Sequence, residues 1–130
     1  MKRTILFLAA NPRGTNELAL GEECAAIQQE LRMAPGRDDF EFHSRWAVGV
    51  DELMRCLNEL SPTVLHFSGH GSRDGAAVSG ALARRQRDVE ASSEPGIILQ
   101  EHDRIHHVTH DALAKMIASV PPVPRLVVLN

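Results

Sequence analysis

The sequence predicts an α/β domain with a mainly parallel central sheet and helices on both faces, and three observations carry that prediction. Short apolar runs recur along the chain: Ile5-Leu6-Phe7-Leu8-Ala9-Ala10, Val64-Leu65-His66-Phe67 and Leu126-Val127-Val128-Leu129. Runs of this kind mark strands covered on both faces. Between them lie stretches whose apolar residues recur at helical spacing. Turn and breaker signals (Asn11-Pro12-Arg13-Gly14, Ala34-Pro35-Gly36-Arg37, Gly69-His70-Gly71, Pro121-Pro122) separate the two kinds of segment. Strands that alternate with helices close into a parallel sheet, because a right-handed crossover lays each helix back on a face of that sheet.

The elements follow in order. Thr4 to Ala10 is the first strand, and Asn11 to Asn16 is a loop by composition. Leu20, Cys24, Ile27 and Leu31, at intervals of four, three and four, form one stripe of an amphipathic helix. Ala34-Pro35-Gly36-Arg37 stops it. Phe40 to Trp46 alternates, with Phe40, Phe42 and Trp46 on one face, and reads as a second strand nearer an edge than the first. Leu53, Leu57 and Leu60 mark a second helix from about Asp51 to Leu60. Pro62-Thr63 launches a third strand, Val64 to Phe67, after which Ser68-Gly69-His70-Gly71 is expected to turn.

The stretch from Ser72 to Pro95 is rich in Gly, Ala, Ser, Arg and Glu and has no sustained apolar period. A segment that long without structure of its own is usually functional or disordered, so a flexible loop at about 72–95 is expected. Gly96 to Gln100 and Ile105 to Val108 form a small hairpin around Glu101-His102-Asp103-Arg104. A third helix follows, with Thr109 as N-cap and Leu113, Met116, Ile117 and Val120 as its inner stripe. Arg125 to Asn130 is expected to be a last buried strand.

Composition narrows the function. The 130 residues make one domain, spanning 1–130, with 43% hydrophobic and 24% charged residues. A net charge of −3 gives no electrostatic footprint for nucleic acid, and four Phe, one Trp and no Tyr give no base-stacking surface. Met1-Lys2-Arg3 precedes an apolar run, but that run ends at Ala10 and is too short for a secretory signal. No stretch approaches the ~20 apolar residues of a membrane span. Two cysteines are too few for a disulfide framework, so a cytoplasmic location is expected.

In parallel sheets ligands bind beyond the carboxyl ends of the strands. That rule singles out Asn11 to Gly14, Ser68 to Gly71, and whatever follows Asn130. Of these, Gly69-His70-Gly71 carries the most chemistry. It sets an imidazole at the rim between glycines that let a substrate approach peptide N–H groups closely. The first strand is followed by no Gly-x-Gly-x-x-Gly or Walker pattern, which disfavours a nucleotide-binding reading.

The chain resembles the CHAT domains, caspase-like cysteine peptidases of clan CD. The carrying segments are Ile5-Leu6-Phe7-Leu8-Ala9-Ala10-Asn11-Pro12, Leu20-Gly21-Glu22-Glu23, Arg45-Trp46-Ala47-Val48, His66-Phe67-Ser68-Gly69-His70-Gly71 and Leu126-Val127-Val128-Leu129-Asn130, in the family's order. The resemblance implies a caspase-like three-layer sandwich and cleavage of a protein or peptide partner, in a bacterial pathway under the control of fused or neighbouring domains. It implies no cofactor. His70 matches the family's catalytic histidine, and Gly71 matches the glycine whose N–H helps form the oxyanion hole. In related proteases a basic residue near Arg13 receives an acidic substrate side chain; the simpler description of Arg13 is a solvated loop arginine.

The family's closing motif runs Leu-Asn-Ala-Cys, so the nucleophile is expected two residues past Asn130, and the fold is expected to be incomplete at its C-terminus. Such a cysteine needs a thiolate, an imidazole to transfer protons and N–H donors for the oxyanion. The 130 residues alone are therefore expected to be inactive. A reading of another class is a non-catalytic interaction module that keeps the fold and pairs through an exposed sheet edge, with itself or with a partner.

Other candidates carry less. Cys24 lies in the apolar stripe of the first helix and reads as a structural thiol; Cys56, one residue before inward-facing Leu57, reads as partly buried or flanking. Neither projects from a strand end. His102, His106, His107 and His110 cluster, but His106 and His107 on one strand would face opposite sides, so a polar hairpin is favoured over zinc. His66, within a strand, reads as a hydrogen-bonded histidine rather than a catalytic one, and Arg84-Arg85-Gln86-Arg87 as a charged loop.

Overall fold

The computed structural model describes residues 2–10, 19–46, 48–69, 71–72, 95–101 and 104–130. His70, Arg13, His102, the Arg84 to Arg87 run and most of the expected flexible loop lie outside the described residues.

The apolar run at the start of the chain forms β1, Arg3–Ala10, and sits in the interior of the main sheet. After it come α1 (Leu20–Met33), a 3-10 turn at Arg37–Asp39, β2 (Phe40–Arg45), α2 (Val50–Leu60) and β3 (Val64–Gly69). Next are β4 (Gly71–Ser72), β5 (Gly96–Glu101), β6 (Arg104–Thr109), α3 (His110–Ala118) and β7 (Leu126–Leu129). The main sheet has the order β2-β1-β3-β7, and every neighbouring pair in it is parallel. A smaller antiparallel sheet, β4-β5-β6, contains the hairpin expected from the sequence.

Alternation along β1 and β3 divides the core between the two faces of the main sheet. On one face Leu6, Leu8 and Ala10 of β1 and Leu65 and Phe67 of β3 pack with Val48, with Leu53, Cys56 and Leu57 of α2, and with Leu113 and Ile117 of α3. Ile97, Leu99 and Val108 bring the hairpin into the same cluster. On the other face Phe7 and Ala9 meet Leu20 and Cys24 of α1, with Ile27 and Phe42 alongside. The result is three layers, helix, sheet, helices. This is the α/β arrangement the sequence predicts, and it is consistent with a caspase-like fold.

Local chemistry accounts for the junctions. Thr109 caps α3, accepting a hydrogen bond from the Ala112 amide at 3.1 Å. Thr63 ties three strands at their amino ends: its amide donates to the Thr4 carbonyl, and its carbonyl accepts from the Arg125 amide, both at 2.8 Å. At the carboxyl rim the Val48 amide donates to the Ala9 carbonyl (3.2 Å), and the Val48 carbonyl accepts from the Gln100 amide (3.4 Å). The crossover from β2 thereby joins the two sheets.

Three expectations are corrected. First, β7 is not a buried strand: Leu126 is 53% and Leu129 40% exposed. Among the described residues β7 pairs only with β3, and an apolar run at an edge keeps much of its surface open. Second, Ser68 and Gly69 do not turn but continue β3 beyond Phe67. Gly69 is required by close packing, since a Cβ there would lie 2.5 Å from the Ala10 carbonyl oxygen and 2.9 Å from the Phe67 ring. Its amide donates to the Asn130 carbonyl at 3.1 Å, so this N–H belongs to the sheet and not to a substrate. Third, Cys56 is buried, not flanking. Trp46, half exposed, lies just past the end of β2 rather than on it, its ring 5.9 Å from that of Phe7.

Candidate functional site

Parallel strands bring their carboxyl ends to one rim, and α1 begins near that rim because it follows β1. Glu22 and Glu23 occupy its first turn, where the unsatisfied N–H groups of a helix favour negative charge. Glu23 is three residues beyond Leu20 and four before Ile27, so it lies on the helix face that packs against the sheet. A carboxylate pointing into that layer needs partners.

It has three. The Glu23 carboxylate lies 3.0 Å from His66 Nε2 through Oε1, and the same oxygen accepts from Asn130 Nδ2 at 2.7 Å. The Ser68 hydroxyl donates to Oε2. Ser68 is buried, while the His66 and Glu23 side chains are 17% and 26% exposed. The His66 ring stacks on Phe7, with centroids 5.3 Å apart and planes 15° from parallel. Burial raises the Glu23 pKa, but the hydrogen bonds from Ser68, Asn130 and His66 and the nearby imidazole outweigh it, holding the carboxyl below the usual carboxylate range.

The register explains why these side chains meet. Phe7 pairs with His66 and Ala9 with Ser68; Phe67 pairs with Leu129. The Asn130 amide donates to the Phe67 carbonyl at 2.9 Å, and the Gly69 amide to the Asn130 carbonyl, which sets Asn130 across from Ser68. Ser68 and Asn130 thus share the α1 face, one row above His66. Sequence reasoning read His66 as a hydrogen-bonded histidine, and it is one. It missed Glu23, Ser68 and the Asn130 side chain as a set. The available signal was a carboxylate within the apolar stripe of α1, opposite a strand whose alternate residues, His66 and Ser68, are polar.

The named site residues stand differently. His70 and Arg13 lie outside the described residues, and Gly71 stands opposite Ile97 at the start of the small sheet. Both thiols are shifted toward the protonated form. Burial pushes the Cys24 thiol up, with Ser44 opposing and the charge of Glu23 reinforcing the shift. Burial and the adjacent Glu52 carboxylate, 3.5 Å from Sγ, push Cys56 up to about 11. On β6, adjacent His106 and His107 face opposite sides, as strand alternation requires. Among the described residues no helix is long and apolar enough to cross a membrane.

No protein-family model matches the chain. Over 72 residues, 55% of its length, it is 33% identical to a Roc-COR-CHAT protease from an unknown prokaryotic organism, and the match covers 7% of that protein. Over 74 residues, 56% of its length, it is 30% identical to a probable protease of Gillisia limnaea, covering 13% of that protein. The chain therefore spans a small part of the relatives it matches.

Proposed function

We propose that this chain is the histidine-bearing portion of a CHAT-type cysteine peptidase that cleaves a protein partner. In this reading His70 is the general acid and base, the Gly71 N–H serves the oxyanion, and Arg13 meets an acidic substrate side chain. The nucleophile is a cysteine two residues past Asn130. Support comes from the protease relatives and, above all, from the parallel pairing of β3 with β7. Counted forward along that register, Ser68 falls opposite Asn130, so β3 and β7 end side by side at one rim of the sheet. In this reading the imidazole exchanges protons with the cysteine and the leaving group, a role that contributes about 10²–10⁴-fold in rate. Cys24 and Cys56 are buried in helices with raised thiol pKa values and do not compete for the role.

The test is to read the gene past codon 130 and express the chain with the residues that follow. An Ala-Cys continuation, peptide cleavage by the longer chain and its loss on replacing either that cysteine or His70 support the peptidase. A stop codon, or a residue other than cysteine at the second position, overturns it. The exposed apolar edge of β7 then favours the interaction module.

A further inference from the structure

We propose that Glu23 is a positioning residue: its single carboxylate clamps the carboxyl ends of β3 and β7 to each other and to α1, and so sets where the residues after both strands emerge. The proposal rests on the peptidase reading for its purpose, since His70 follows Ser68 and Gly69, and the expected nucleophile follows Asn130.

Three observations carry it. The carboxylate takes hydrogen bonds from two adjacent strands at once, with His66 and Ser68 on β3 and Asn130 just past β7. An ionised carboxylate accepts only, and its two oxygens offer about four acceptor sites, so one group can hold three donors. Among the described residues, β7 is otherwise held to the main sheet by its backbone bonds to β3 and Thr63. It is four residues long, its leucines at 126 and 129 are largely exposed, and its described pairing is to β3 alone. The clamp itself is held at its base, because Phe7 stacks on the His66 ring and Ser68 is buried. A glutamate on the inner stripe of α1 forgoes the apolar area that Leu20 contributes there, and this three-way attachment is what it provides instead.

Amide hydrogen exchange on the 130-residue chain tests the clamp without requiring activity. E23Q keeps the side-chain size but places an N–H₂ among donors. Protection of the Gly69 and Asn130 amides should fall about tenfold, the worth of one hydrogen bond, while Phe7 and Leu8 in β1 stay within about twofold. N130D sets two carboxylates against each other and should give the same local loss at pH 7. In the double variant E23Q/N130D the introduced amide donates to the introduced carboxylate, and protection should return to within about threefold of the original. A residue that merely stabilises the fold would lower protection across the whole sheet and would not be rescued by the exchanged pair. A uniform fall, no fall, or no rescue overturns the proposal. Should E23Q not fold, N130A, at an exposed position, must still loosen Gly69 selectively. Lack of cleavage by the extended chain would sink the peptidase reading, while the exchange rates decide the clamp separately.

Discussion

The two faces of β3 divide the work of this domain. Leu65 and Phe67 enter the large apolar cluster formed by β1, α2, α3 and the hairpin. His66 and Ser68, the alternate residues, enter a smaller layer under α1 where they bind one carboxylate. The first face stabilises by area removed from water, which has no direction and tolerates small shifts. The second contributes direction: hydrogen bonds of fixed length to named atoms at the rim where both strands end. A single strand thus anchors the fold on one side and aims its own end with the other.

The largest expected effect comes from breaking the apolar face. Phe67→Ala should cost about 3–5 kcal/mol in denaturant unfolding, from lost transfer energy and the cavity left between the sheet and α2.

The polar face should show a smaller cost with a pH signature. E23Q should cost roughly 1–2 kcal/mol near neutrality, the scale of a hydrogen bond to a charged group. Because the Glu23 pKa is lower in the folded chain than in the unfolded one, the unfolded state binds more protons between the two values, and stability there rises with pH. The contribution is fully present above about pH 4.3, the unfolded glutamate value, and is lost as pH falls through the folded value. The difference between wild type and E23Q should therefore shrink on acidification in urea melts at stepped pH. A difference that persists unchanged at pH 3 would mean that the ionised carboxylate is not the source.

The smallest effect should lie at the open edge. Leu126→Gln on β7 should change stability by no more than about 0.5 kcal/mol, since the side chain is half exposed already. If the edge pairs chains together, the same change should shift a concentration-dependent sizing profile toward monomer; an unchanged profile would count against edge pairing.

Much of the architecture was legible in the residues. The run from Ile5 to Ala10, the stripes at Leu53 and Leu57 and at Leu113 and Ile117, the hairpin around Glu101 to Arg104 and the Thr109 cap each obey a short-range rule, a period or a capping preference, and each forms. Beyond the described residues His70 rests on motif alone.

What local pattern determined is which segments are strands and helices, and which face of each is apolar, because those depend on residues a few positions apart. Only the tertiary structure decided that, among the described residues, β7, with an apolar run much like that of β1, pairs on one side alone while β1 is central; strand order is set by chain crossovers and by neighbours far away in sequence. It also decided that Glu23, His66, Ser68 and Asn130 meet. They stand up to 107 positions apart, and no local period reports a contact made by the register of one sheet against a helix laid across it.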